Sequence, residues 1–259
     1  MHSDNIEESN KDLEKKGTQR VRFPFGISNF EYFRIDSSHF FVDNTSIIRE
    51  LDDASSHIII NRPARWGKSL FLSMLQSFYC QSLSKEYFNR LFNGLDIEIS
   101  PTSSRGSYFV LKVDMSSAAD SSRSLREVQD IQLRVLFNSI KRIRYGLSAP
   151  LPSDIPDIMA GLDFVASKVL EKNGRLLILV DEYDRMANKL IFENPDAYNK
   201  IVLRDATDDP LTSPIRGFLE SIKAISAFVE CRSIVTGITP IALTDSFRGE
   251  YMDKCKLGQ

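Results

Sequence analysis

His57-Ile58-Ile59-Ile60-Asn61-Arg62-Pro63-Ala64-Arg65-Trp66-Gly67-Lys68-Ser69 decides how the chain is read. A β-branched run ends in a short loop, and a Gly-Lys-Ser turn then opens a stretch with Phe71, Met74, Leu75 and Phe78 at helical spacing. Strand, loop, turn and helix is the order that anion binding requires. A helix N-terminus presents unpaired N–H groups and the positive end of its dipole. Gly67 would let the backbone approach an anion, Lys68 would reach the β- and γ-phosphates, and the Ser69 hydroxyl would ligate Mg2+. In the pattern G-x-x-x-x-G-K-[ST] the first glycine belongs where Arg62 stands, so the match is incomplete. Gly-Lys-Ser alone also describes an ordinary helix start with an exposed lysine.

A second stretch adds to the first. Leu176-Leu177-Ile178-Leu179-Val180 is a continuous apolar run that delivers Asp181 and Glu182 at its C-terminal end. In an open α/β sheet, ligands bind at that end of the strands. An aspartate there can hold Mg2+ directly or through water, and the next residue can polarise a water for attack on a γ-phosphate. Alone, the pair also fits an acidic first helical turn after a buried strand. Both signals in this order, in one alternating chain, point to nucleotide binding.

Around these motifs, Tyr108 to Val113 and Ser233 to Thr236 read as further strands, and Phe40 to Val42 as a short one. Asp43, Asn44 or Thr45 is placed to cap a helix through Ile47, Ile48 and Leu51. Further helices are expected over Ser69 to Tyr79, Leu125 to Ile143 and Ile158 to Val169, and from Ser213-Pro214 through Ile225. Apolar strands separated by helices imply a parallel sheet covered on both faces. Residues 1–20, charged and nearly free of aliphatics, are expected to form a mobile tail, and residues 21–259 one α/β domain. The aromatics from Phe23 to Phe41 are expected in the core, in preference to walling an adenine pocket.

Composition narrows the class of function. With 33 basic and 35 acidic residues the net charge is −2, which argues against blanket attraction to nucleic acid or anionic membrane. Cys80, Cys231 and Cys255 form no CxxC pair, and His2, His39 and His57 supply neither zinc spacing nor a hydrolase triad. Such cysteine usage favours a reducing compartment, intracellular and either cytoplasmic or nuclear. No apolar run approaches the ~20 residues of a membrane span.

Arg62-Pro63-Ala64-Arg65-Trp66-Gly67-Lys68-Ser69 resembles the loop Arg-Pro-Arg-Arg-Phe-Gly-Lys-Ser of the AAA-ATPase-like family of P-loop proteins, in which arginine replaces the first glycine. Phe41-Val42-Asp43-Asn44-Thr45 is similar to that family's Tyr-Val-Asp-Lys-Thr, and Asp181-Glu182-Tyr183-Asp184 matches its acidic motif in full. Arg216-Gly217-Phe218 and Thr236-Gly237-Ile238-Thr239 resemble its later elements. The resemblance implies a three-layer P-loop NTPase fold with a mainly parallel sheet. In it the strand ending at Asp114 lies at the edge and the Thr236 strand lies between the two motif strands. Family members usually continue into a fifth strand, a helical lid and often a PD-(D/E)XK nuclease-like region. The chain is therefore expected to be a C-terminally truncated domain lacking the last strand and lid. Ile58 to Ile60 would then have an open edge, completed by a protein partner or by self-association.

The resulting expectation is an ATP-binding protein that hydrolyses ATP with Mg2+ and drives a conformational change in a partner. The alternative is a nucleotide-dependent switch or scaffold without hydrolysis. Lys68 and backbone N–H groups would hold phosphate, Ser69 and Asp181 the metal, and Glu182 the attacking water. Thr236 would position that water or sense the γ-phosphate, or serve the strand end structurally. Arg62 and Arg65 would touch phosphate or ribose, or pair with carboxylates. Trp66 is read as a packing residue in preference to a base-stacking one, and Asp184 as a supporting or helix-capping acid. Arg232 and Arg248 are candidates for an arginine finger in an assembly. A nucleic-acid link rests on the resemblance alone.

Overall fold

The computed structural model describes residues 22–23, 25–36, 38–118, 131, 134–136, 138–140, 155–196, 198 and 214–239. The tail at 1–20, most of the helix expected over Leu125 to Ile143, the Ser213 cap and Arg248 lie outside the described residues.

The apolar runs become β1 (His57–Asn61), β2 (Phe109–Asp114), β3 (Leu176–Asp181) and β4 (Cys231–Gly237). They form a four-stranded sheet in the order β1-β4-β3-β2, with every neighbouring pair parallel. The last strand among the described residues thus lies between the two motif strands, and β2 lies at the edge, as the resemblance implied. Ile60 lies opposite Thr236, Val180 opposite Val235, and Asp114 opposite Asp181, so the functional ends of the strands are aligned.

Helices cover both faces, which is why β3 is apolar without alternation. Leu176, Ile178 and Val180 pack with Leu162, Val165 and Val169 of α6 (Ile158–Glu171) and Phe218, Leu219 and Ile222 of α8 (Pro214–Ile225). Leu177 and Leu179 point the other way. They join Ile47, Ile48 and Leu51 of α2 (Ile47–Asp53) and Leu72, Leu75 and Phe78 of α3 (Lys68–Tyr79). Three layers result. Further helices are α1 (Phe30–Ile35), α4 (Lys85–Phe92), α5 (Asp96–Ile99) and α7 (Arg185–Glu193), and the described residues within 131–140 and 195–198 are helical as well.

Three sequence expectations are corrected. Phe40 to Val42 is not a strand: Phe40 N–H donates to Arg22 O, and the ladder contact nearby among the described residues is an isolated bridge of Arg22 with His39. The helix through Ile47 is not capped by Asp43, Asn44 or Thr45; Ser46 is its N-cap and makes no side-chain cap bond. Asp43 braces the approach instead, accepting from Thr45 N–H at 2.9 Å and Oγ1 at 2.7 Å, and from Asp96 N–H at 2.7 Å. The aromatic segment divides: Phe30 and Phe33 are core residues, whereas Phe23 and Phe25 are 83% and 92% exposed.

The strand β1 ends the sheet order, yet Ile58, Ile59 and Ile60 are only 1%, 3% and 4% exposed. Their side chains lie in the two helical layers, while among the described residues β1 pairs with β4 alone and is an edge strand of the sheet.

Candidate active site

The loop after β1 stays tied to the sheet, because Arg62 N–H donates to Gly237 O at 3.0 Å. Two left-handed residues, Arg65 (φ 66) and Gly67 (φ 76), then turn the chain into α3. Gly67 adopts that conformation without the Cβ penalty that Arg65 bears. Gly67 is also the N-cap of α3 and offers no side chain to its first turn, so those N–H groups face the loop. Lys68 is buried beneath the loop, and its Nζ donates to the carbonyls of Arg62 at 2.9 Å and Pro63 at 3.1 Å. A cation, amide donors and a helix dipole therefore converge on one turn.

At the end of β3, Asp181 is 4% exposed and its Oδ1 accepts from Thr236 Oγ1 at 2.9 Å. The same hydroxyl lies 3.3 Å from Val180 O, so its single proton has the closer partner in the carboxylate. Thr236 thereby orients Asp181 and leaves Oδ2 for another ligand. Glu182 follows in a left-handed conformation (φ 53), with its carboxylate 3.5 Å from Arg185. Burial pushes the Glu182 carboxyl up against the opposing pull of Arg185, and the negative charges of Asp181 and Asp114 add to the rise. A raised pKa makes the ionised carboxylate a stronger proton acceptor.

Beside the loop, a cleft of about 160 Å³ is walled by Phe41, Val42, Trp66, Phe71 and Met74, with Asn44 adding an amide. It opens onto Gly67, Lys68 and Thr236. Trp66 is 64% exposed, which corrects its reading as a core-packing residue. Arg62 lines the cleft; Arg65 is exposed and lies outside the lining. Ser69 follows Lys68 in the first turn of α3.

Arg232, a finger candidate by sequence, is engaged within this chain. It stands near the start of β4, opposite Leu177, and binds Asp52 at 3.2 Å together with the carbonyl of Leu51 at the end of α2. Asp184 is the N-cap residue of α7 but makes no side-chain cap bond; its carboxylate turns toward the residues after β4. Sequence reasoning missed Asn44 as a cleft residue and Asp114 as a third carboxylate, although its register with Asp181 follows once two strand ends are aligned.

Among the described residues, no group of three or more His, Cys, Asp or Glu side chains could hold a metal by itself. Mg2+ does not need one, since it commonly keeps waters and takes one or two protein oxygens beside phosphate. No helix among the described residues is long and apolar enough to cross a membrane.

A parallel sheet covered on both faces, with the glycine-lysine turn and the acidic strand end at the same edge, is an α/β fold consistent with a P-loop NTPase-like domain. The family model described as "Predicted AAA-ATPase" matches residues 24–247, and the chain belongs to this AAA-ATPase-like family. It is also similar to a curated protein of Azotobacter chroococcum mcd 1, described as an uncharacterized protein in the vnfD 5' region. The two are 26% identical over 168 residues, which cover 64% of this chain. The chain spans only 30% of the length of that relative. No solved structure matches it.

Proposed function

We propose that the chain binds ATP with Mg2+, hydrolyses it, and uses the cycle to change the conformation of an associated protein. The observation that carries this reading is the convergence on one sheet edge of Lys68 under its loop and the Asp181–Glu182 strand end, bridged by Thr236.

The donor set fits the metal and nucleotide. Ser69 and the free oxygen of Asp181 are hard ligands of the kind Mg2+ takes, and the apolar cleft suits a purine face against Trp66 and Phe41. Bound Mg2+ would neutralise charge on the phosphates. Lys68 would exchange its bonds to Arg62 O and Pro63 O for phosphate oxygens, with the first amides of α3 beside it. Glu182 would accept the proton of the attacking water, its raised pKa keeping it a competent base. Arg62, at the mouth of the cleft, is placed for phosphate or ribose. Arg65 retains either of its sequence readings. The proposed domain spans residues 21–259. Among the described residues β1 ends the sheet, so a protein partner or a second copy could add a strand there, besides any partner moved by the conformational change.

Mg-ATP binding to the purified chain, and its weakening by at least about tenfold in Lys68→Ala, tests the binding step. Phosphate release from the wild type and Glu182→Gln tests hydrolysis. Equal rates from the two would leave a nucleotide-dependent switch without turnover.

A further inference from the structure

The carboxylate of Asp184 is buried, at 1% exposure, and is taken up by donors from a distant segment. Its Oδ2 accepts from Ile238 N–H at 2.8 Å and Thr239 N–H at 2.7 Å, across 54 and 55 residues of chain. Asn188 Nδ2 donates to the same oxygen at 2.8 Å. The Thr239 hydroxyl lies within reach of both Asp184 and Asn188. Tyr183 completes the contact: its hydroxyl donates to Thr239 O at 2.8 Å, and its N–H to Thr236 O at 3.2 Å. The absence of a side chain at Gly237 makes this approach feasible. A Cβ there would lie 2.4 Å from Tyr183 Cε1 and 2.8 Å from Asp184 Oδ1.

The turn after β4 and the segment after β3 are thus pinned at two places. Thr236 holds Asp181 on one side, and Asp184 holds Ile238 and Thr239 on the other. Glu182 lies between the pins in a left-handed conformation that non-glycine residues avoid and that persists only when its neighbours hold it. Charge-assisted bonds to a buried carboxylate are strong enough to do so. We propose that Asp184 is a positioning residue for hydrolysis: its carboxylate pins the turn after β4 and so fixes both Thr236 against Asp181 and the backbone of Glu182. The proposal rests on the ATP-hydrolysis reading above.

The test uses the full chain and three variants, Asp184→Asn, Tyr183→Phe and Thr239→Val. The last two remove single hydroxyl bonds and keep the fold accessible should the first not fold. Two quantities are read: kcat and Kd for Mg-ATP, and amide exchange over residues 182–184 and 236–239. In Asp184→Asn, kcat is expected to fall at least about tenfold while Kd stays within about threefold. Exchange should rise in both segments together, and across the series the loss of kcat should follow the gain in exchange. Full kcat in any folded variant whose turn exchanges about tenfold faster overturns the proposal. So does a series in which turn exchange does not change, or in which kcat falls only as binding falls. If the wild type turns over no ATP, the hydrolysis reading fails by itself. The pin is then judged on exchange: a joint rise at 182–184 and 238–239 supports it, and a rise confined to 238–239 overturns it.

Discussion

At Glu182 two unfavourable terms coincide, a left-handed backbone and a partly buried carboxyl whose pKa is raised by that burial. A base with a raised pKa is active only above that value. The acidic limb of kcat is therefore expected above the ordinary glutamate range of about 4.3, and a kcat–pH profile checks it. The same shift bears on stability. The folded state holds this proton more tightly than the unfolded chain, so the contribution of Glu182 to stability falls as pH rises from the ordinary range through the raised value. Glu182→Gln is accordingly expected to unfold at a higher temperature than wild type at pH 7, with the difference shrinking on acidification, while hydrolysis falls about 100-fold or more. Replacement by glycine removes the left-handed penalty as well, and Glu182→Gly is expected to gain about 1 kcal/mol in urea unfolding. Lys68, Ser69, Asp181 and Glu182 could be named as candidates from the sequence because their proposed chemistry follows from their place at a strand or helix end. The conformation of Glu182 and the partners of Asp184 were not, since both depend on a turn more than fifty residues away.

The elements were legible where they are long and buried on both sides. The runs at β1 and β3 declare strands because helices cover both faces, and α3 and α6 are long enough for their apolar spacing to repeat. The short helices were not. The six residues of α1 and eight of α4 allow only about two periods at 3.6 residues per turn, with Phe88, Leu91 and Phe92 alone buried in α4. Their caps were the available signal: Asn29 accepts from Tyr32 N–H, and Ser84 from Tyr87 N–H. The same device starts α6, where Asp157 accepts from Ala160 N–H at 2.8 Å. Asp157→Ala is expected to cost about 1 kcal/mol in urea unfolding without changing Mg-ATP affinity. Gly174, between α6 and β3, has a packing role. A Cβ there would lie 2.5 Å from Phe109 Cε2, so Gly174→Ala is expected to destabilise by about 1–3 kcal/mol in the same measurement.

Across the whole molecule, one polar cluster joins three elements far from the cleft. Arg232 of β4 pairs with Asp52 of α2, which also accepts from Tyr79 of α3 at 2.8 Å. Burial beside Asp52 pushes the Tyr79 hydroxyl up, so it remains a donor throughout the working pH range. Removing Asp52 leaves a partly buried guanidinium without its carboxylate, and Asp52→Ala is expected to lose about 2 kcal/mol by thermal or urea unfolding with Mg-ATP affinity retained. The order β1-β4-β3-β2 has a consequence for how the chain comes off the ribosome. His57 and its sheet neighbour Ser233 are 176 residues apart, and β4 separates the two strands that carry the motifs. Non-local pairing of this kind is slow, because loop closure precedes any gain from contact. Until residues 231–237 have been synthesised, a nascent chain holds its lysine turn and its acidic strand end on strands with nothing between them. The proposed nucleotide site can therefore be assembled only after β4 has been made, and ligand cannot assist the stages of folding before it.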